Sequence, residues 1–177
     1  MIELLLLDWD ACVSPYKIYG ADGLCLGKPV QDKEFTSIKR FRAAGVPVHV
    51  LTGDPWNEGL MKARRIPYHI TRGIEKSSLL LELCATYNTF PTNVAYLGDD
   101  LFDMKIMKAV QYSFCPHDAS PDCYIGDLKK TTRLESKSGD HVVMELFWHC
   151  LENELIPELT TEEEYAKILK LDEREKF

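Results

Sequence analysis

Asp8 and Asp10 follow directly on a run of leucines, Leu4 to Leu7, with only Trp9 between them. An apolar run ended abruptly by charge reads as a strand buried on both faces whose end opens at a crevice. Alternation along an extended chain then puts both carboxylates on one side. Converging carboxylates repel each other unless a cation sits between them or one keeps its proton. Further along, Thr52-Gly53 ends a second apolar run, Lys76 opens a helical stretch, and Gly98-Asp99-Asp100, with Asp103 beyond, ends another strand-like run. Lys76 is locally unfavourable, because a cation at a helix N-terminus opposes the dipole; a bound anion would remove that conflict. Carboxylates for a hard cation, a hydroxyl, a glycine-flanked amide and one lysine suit phosphoryl transfer, where charge on the equatorial oxygens must be neutralised. In such a set Asp8 would be the nucleophile and carry an aspartyl-phosphate.

These groups can act together only if the chain brings its strand ends to one edge. After the first strand, Tyr16, Ile18 and Tyr19, the turn Gly20-Ala21-Asp22-Gly23 and Leu24 to Leu26 predict a β-hairpin flap over about 16–26. Phe35, Ile38, Phe41 and Ala44 recur at helical spacing, and Gly45 is placed to stop the helix. Further strands are predicted over 46–51, 68–70, 94–97 and 112–115, with a short one at Tyr124-Ile125. Helices are predicted over 56–65, 76–87, 101–109, 141–155 and 162–171, the last opened by a Thr160/Glu163 capping box. Alternation at these lengths implies βαβ units, hence an α/β, three-layer, doubly wound parallel sheet. Thr52, Asp8, Asp10, Asp99 and Asp100 then meet at the crevice outside the strand C-termini. The expected division is a main domain over 1–156 and a helical extension over 157–177, amphipathic through Tyr165, Ile168, Leu169 and Leu171.

Composition narrows the class. A chain of 177 residues with 45% hydrophobic content can bury one good core. The net charge of -7 and the lack of a basic patch argue against a nucleic-acid partner. Cysteines at 12, 25, 84, 115, 123 and 150 form no CxxC pair, so they read as reduced thiols of a cytoplasmic protein. The leading leucines are too few to span a bilayer and lack the flanks of a signal peptide, so no membrane association is expected.

The order D-x-D, T-G, K and G-D-D-x-x-D resembles the haloacid dehalogenase (HAD) superfamily of phosphohydrolases. Over roughly residues 4–150 the resemblance is nearest the capless branch that includes the 3-deoxy-D-manno-octulosonate 8-phosphate phosphatases. It is carried by KIYGADG after the first motif, AAGVPVHVLTG, AYLGDDLFD and SGDHVVMEL. The resemblance implies a HAD-like Rossmannoid fold without a cap domain, and a Mg2+-dependent phosphomonoesterase acting on a small phosphate ester such as a sugar acid or sugar phosphate. It makes Asp8 the nucleophile and Asp10 the proton donor to the leaving oxygen, later the base for water. Asp8, the Asp10 carbonyl and Asp99 would hold Mg2+, with Asp100 and Asp103 behind them. Thr52 and the Gly53 amide would bind phosphoryl oxygens, Lys76 would neutralise them, and Asp103 would orient Lys76 or a metal-bound water. It also implies a homotetramer in which hairpins cover neighbouring sites.

The sequence departs from the family pattern at four places. Ala11 stands where glycine is usual, and Gln31-Asp32-Lys33 where an arginine-aspartate-glycine run occurs. Ile74-Glu75 precedes the motif lysine, and Gly139-Asp140-His141 with Met144 replaces a late Gly-Arg-Gly segment. These changes motivate an alternative, a catalytically weak HAD-fold binding or regulatory subunit of a sugar-activating enzyme. A phosphorylation-switched receiver domain is disfavoured, since its phosphoacceptor lies on a middle strand. Trp9 and Trp56 could stack on substrate or pack at the crevice rim. His49 reads as a satisfied core histidine, and His69, His117 and His149 lack metal spacing. His141 is the histidine expected to reach substrate.

Overall fold

In the computed structural model, which describes residues 1–175, the leucine run forms the centre of the sheet. Strand β1 (Leu4–Leu7) is buried throughout and lies parallel between β4 (Val48–Thr52) and β6 (Val94–Leu97). The hairpin strands β2 (Ile18–Tyr19) and β3 (Cys25–Gly27) stand apart as an exposed antiparallel pair. Adding β5 (Tyr68–Ile70), β7 (Tyr112–Cys115) and β8 (Thr132–Arg133) gives a parallel sheet of order β5-β4-β1-β6-β7-β8. The chain lays β4 and β5 outward on one side of β1, then returns to place β6 on the other. The crevice between β1 and β6 is therefore the switch point at which α/β sheets bind ligands. Asp8 leaves the end of β1 there, and Asp99 follows the end of β6.

Strand alternation sends successive leucines to opposite faces. Leu5 and Leu7 join Phe35, Ile38 and Phe41 of α1 (Asp32–Ala43) and Val143, Leu146 and Phe147 of α5 (Val142–Glu152). Leu4 and Leu6 join Leu80 and Leu83 of α3 (Leu80–Thr86) and Ile106 and Met107 of α4 (Met104–Ala109). With α2 (Glu58–Arg64) these helices complete the three layers. The expected fold class is observed, with no cap domain among the described residues. Trp9 continues the Leu5/Leu7 side and is fully buried, its ring centroid 6.0 Å from that of Phe35. Packing thus decides between the readings left open for it.

Several expected elements differ in detail. Tyr124-Ile125 is not a strand: it lies between two 3-10 turns, and the sixth strand of the sheet is β8. Pro121 and Gly126, the latter at φ +61°, fold the segment back before it can extend. The predicted helices 76–87 and 101–109 each begin with a 3-10 turn, Lys76–Leu79 and Leu101–Asp103. The last helix, α6 (Thr161–Asp172), has the expected capping box at Thr160 and Glu163 but buries none of its residues. Of the residues expected on its apolar face, Ile168 and Leu171 are half-buried but Tyr165 and Leu169 are exposed, and Glu164 is half-buried beside them. The reason is electrostatic. Arg40 clamps Glu164 with bonds of 2.7 and 3.0 Å, and Lys39 pairs with Asp172 and, at 3.0 Å, with Glu175. Lys176 and Phe177, the end of the expected extension, lie outside the described residues. Among the described residues no helix is long and apolar enough to cross a membrane.

Helix α5 is anchored by a residue that periodicity does not single out. Glu34, in the first turn of α1, is fully buried and accepts hydrogen bonds from the N–H groups of Val143 (2.9 Å) and Met144 (3.3 Å). It satisfies donors that a helix N-terminus leaves unpaired. Burial nonetheless dominates and pushes its carboxyl up to about 7 against those two bonds. The native state therefore holds this proton more tightly than the unfolded chain, and ionisation between about pH 4.5 and 7 lowers stability as pH rises. Glu34→Gln keeps an acceptor without the charge and is expected to flatten the stability profile over that window. Glu34→Ala, which orphans both donors, is expected to cost roughly 1–3 kcal/mol. Urea unfolding at pH 5 and pH 8 measures both effects.

Candidate active site

Lys76 sits among carboxylates. Its Nζ donates to Asp8 Oδ1 at 2.8 Å and to Asp103 Oδ1 at 2.7 Å, and all three residues are buried. Burial alone would push the ammonium toward deprotonation, but Asp8 and Asp103 outweigh it and hold its pKa above the ordinary lysine value. Asp103 is itself fixed from the other side. Tyr96 donates its hydroxyl to Oδ1 at 2.6 Å, and the N–H groups of Asp99 and Asp100 donate to Oδ2 at 2.9 and 3.3 Å. Gly98 is required by this closeness, because a Cβ there would lie 2.6 Å from Asp103 and from the Tyr96 ring. Asp103 thus aligns Lys76 and shapes the loop that presents Asp99.

Asp8, Asp99 and Asp103 each offer a carboxylate oxygen, all within 4.8 Å of one another. So many buried negative groups beside one ammonium cannot all ionise freely. Burial, then the charge of Asp103, pushes Asp8 up to about 7; burial, then Asp8 and Asp103, pushes Asp99 up to about 9. A divalent cation would reverse both shifts. The donor set is all oxygen, as Mg2+ prefers. Asp103 is already committed to Lys76, Tyr96 and backbone N–H groups, so Asp8 and Asp99 are the carboxylates that fit the cation best.

The Asp10 carboxylate occupies a neighbouring polar cluster. Its Oδ1 accepts from Lys28 Nζ, and its Oδ2 accepts from Asn57 Nδ2 at 2.9 Å and from the Thr52 hydroxyl at 3.1 Å. Thr52 is fully buried, and its oxygen also accepts from the Asp54 N–H and from Asn57. The hydroxyl predicted to bind phosphoryl oxygens is therefore directed at Asp10. Asp54 pairs with Lys17 at 2.6 Å and Lys28 at 2.8 Å; these cations overcome the effect of burial and hold its carboxyl well below the usual range. Lys28, Asn57, Asp54 and Lys17 were not singled out by sequence reasoning. Only Asp54 and Asn57, on the turn after Thr52, had a positional signal; Lys28 is brought in by the hairpin.

Ala11 supplies a physical account of one departure. It adopts φ +58°, a left-handed conformation that glycine reaches without the Cβ penalty, costing alanine roughly 1–2 kcal/mol. Its N–H donates to the Ser14 carbonyl at 2.7 Å and its own carbonyl accepts from the Ser138 hydroxyl, bonds that hold the loop in this left-handed turn.

A cleft of about 830 Å³ opens over the site, lined by Asp8, Asp10, Gly53, Lys76, Asp99, Asp100 and Asp103 among others. Arg72 and Lys105 stand on its rim, the latter paired with Glu75 at 2.6 Å. His141 is not brought to this lining. It lies at the start of α5 at φ +66°, beyond Gly139, which packs so tightly on Pro15 that a Cβ would collide with the ring. Trp56 also lies outside the lining, with Lys28 Nζ 5.7 Å from its ring centroid. His49 bonds Tyr87 at 2.9 Å and His69 at 2.8 Å, a satisfied histidine away from the cleft.

No protein-family model matches the chain, but solved structures match over most of it. A Legionella pneumophila protein described as a HAD superfamily (subfamily III A) hydrolase superposes with a TM-score of 0.79 at 24% identity, covering 96% of this chain and 90% of its own. The 3-deoxy-D-manno-octulosonate 8-phosphate phosphatase of Yersinia pestis gives 0.70 at 25%, covering 97% and 84%. The Moraxella catarrhalis phosphatase of the same name, solved with a magnesium ion, a phosphate ion and a KDO molecule, gives 0.73 at 20%, covering 85% and 86%. The chain has the capless three-layer fold of these hydrolases.

Carboxyls whose native pKa is raised from 3.8 toward 7 and 9 lower stability as pH rises through that window, unless a cation compensates. Without divalent cation the melting temperature is expected to fall from pH 5 to pH 9, and Mg2+ at pH 8 is expected to raise it. Asp99→Asn removes one of the repelling charges. It should melt higher than the wild type in EDTA and lose most of the Mg2+-dependent rise, which differential scanning fluorimetry measures directly.

Proposed function

We propose that this protein is a Mg2+-dependent phosphomonoesterase that hydrolyses a small phosphorylated metabolite, a sugar acid or sugar phosphate, through an aspartyl-phosphate. The observation that carries the reading is the convergence of Asp8, Lys76, Asp99 and Asp103 at the sheet's switch point, with Asp10 beside them. The likeness to phosphatase structures supports it, one of them holding magnesium and phosphate.

Asp8, Asp99 and the backbone carbonyl of Asp10 would hold the cation, which when bound supplies positive charge beside the nucleophile and the phosphoryl oxygens. Asp8 attacks phosphorus, forming a P–O bond to its carboxylate as the bond to the leaving oxygen breaks. Asp10 gives its proton to that oxygen. In the second half Asp10 takes a proton from water, whose oxygen attacks phosphorus and displaces the Asp8 carboxylate, releasing inorganic phosphate. Lys76, kept charged by Asp8 and Asp103, neutralises developing negative charge throughout. The Gly53 amide contributes a donor at the cleft wall, and Arg72 and Lys105 favour an anionic substrate.

The main domain would span 1–156 and act without a cap, so the hairpin is the element nearest to closing the cleft. Tyr16, Ile18, Tyr19, Leu24 and Leu26 are all exposed on or beside it. An apolar surface of this kind supports the homotetramer, in which neighbouring hairpins cover one another's sites. Six cysteines that form no disulfide accord with a cytoplasmic setting.

With Mg2+, wild-type protein is expected to turn over p-nitrophenyl phosphate or a member of a sugar-phosphate panel. Asp8→Asn should abolish turnover, and Asp10→Asn should slow it by roughly 10²–10⁴-fold. Well-folded wild type inactive on every ester would favour the regulatory-subunit reading. Undiminished activity in Asp8→Asn would displace the nucleophile. For the assembly, gel filtration with light scattering should report a tetramer, and Leu26→Asp on the hairpin should shift it to smaller species; a wild-type monomer at assay concentration would refute the assignment.

A further inference from the structure

Lys28 directly follows the hairpin, yet its side chain has no solvent exposure. A buried ammonium is tolerable only when its donors are matched. Here Nζ donates to Asp10 Oδ1, to Asp54 Oδ2 at 2.8 Å and to Asn57 Oδ1 at 3.0 Å, which uses every N–H it has. Asn57, also fully buried, turns its amide the other way and donates to Asp10 Oδ2 at 2.9 Å and to Thr52 Oγ1 at 2.8 Å. Lys28 thus fixes one oxygen of Asp10, and Asn57, together with the Thr52 hydroxyl at 3.1 Å, fixes the other, while the Asp10 side chain keeps 28% of its surface open and lines the cleft.

We propose that Lys28 and Asn57 are positioning residues that hold the Asp10 carboxylate in the orientation needed for proton transfer to the leaving oxygen, with Lys28 tying that carboxylate to the hairpin. The inference rests on the phosphatase reading above. Neither residue lines the cleft, and neither the Lys28 side chain nor Asn57 has solvent exposure. A free aspartate side chain samples several staggered rotamers. A general acid works only within hydrogen-bond reach of the oxygen it protonates, and misplacement by about 1 Å costs on the order of 10²-fold. The proton leaves Asp10 as the phosphorus–oxygen bond to the leaving group breaks, so the requirement is strongest when the departing oxygen is basic. The two residues also stitch the hairpin to the turn after β4. A purely structural stitch would lower turnover of all esters alike.

Leaving-group dependence separates the two roles. p-Nitrophenolate departs without needing a proton, whereas an alkoxide needs one. Full-length wild type, Lys28→Met and Asn57→Ser are compared with Mg2+ on p-nitrophenyl phosphate and on the best alkyl ester of a sugar-phosphate panel, with melting temperatures alongside. Both variants are expected to lose roughly 30- to 100-fold in kcat/KM, which reports the leaving-group step and not the water step common to both esters, on the alkyl ester but less than about 5-fold on p-nitrophenyl phosphate. Equal losses on the two esters, or no loss on either, would overturn the proposal. If Lys28→Met does not fold, Asn57→Ser decides by the same ratio. Wild type that hydrolyses neither ester would instead overturn the phosphatase reading and this inference with it.

Discussion

One buried ammonium among carboxylates is the interaction on which the rest of the structure depends. Lys76 pairs with Asp8 and Asp103 where water cannot screen the charges, and Asp99 adds a further negative group. Taking one partner out of a buried ion pair typically costs about 3–5 kcal/mol, because the remaining charge is left uncompensated. The surroundings accordingly leave little free. The Tyr96 hydroxyl and two backbone N–H groups complete Asp103, and Gly98 lets the loop approach closely enough to do so. The surplus of acidic groups that remains is what a divalent cation would neutralise.

That cluster lies where two sheet halves part. The all-leucine strand can occupy the centre because it offers apolar side chains to both helical layers at once. Trp9 continues one of those layers, so the chain between the two aspartates is anchored in the core while the carboxylates face the crevice. The site is therefore rigid on the side of Asp8. On the opposite side the hairpin is a two-stranded ribbon with exposed apolar residues, too small to be stable alone. Lys28 joins this least self-sufficient element to the Asp10 cluster, and the ion pairs of α6 fasten the chain's last helix to α1 in a similar way.

Much of the fold and of the candidate site is legible in the amino-acid sequence, for reasons that can be stated residue by residue. Leu4 to Leu7 and 94–97 are apolar runs ended by polar or turn residues, and parallel strands covered on both faces accommodate such runs. Asp8, Asp10, Thr52, Lys76, Asp99 and Asp103 can be placed together because each sits at a strand end or helix start, and a parallel sheet gathers those ends at one edge. The two-residue strand at Thr132-Arg133 cannot be found this way, since so short a run carries no period. Tyr124-Ile125 looks like a strand only because local composition ignores the turns forced at Pro121 and Gly126. The docking face of α6 is foreseen only in Ile168 and Leu171, because hydropathy counts apolar residues, whereas Glu164 and Asp172 find their cations on a helix more than a hundred residues away.

By itself, then, the sequence determined the layered parallel sheet, the position of its switch point and the residue types gathered there, because these follow from periodicity and from the order of strand ends. Only the tertiary structure decided how those residues divide their hydrogen bonds. Thr52 faces Asp10 and the cluster around it, Asp103 serves Lys76 and the Asp99 loop, and His141 stays outside the cleft. Lys28 and Asn57 enter the site without a motif. Hydrogen bonding is directional and short-ranged, so its pattern depends on which side chains arrive within about 3 Å from distant segments. No local pattern in the chain encodes that arrival.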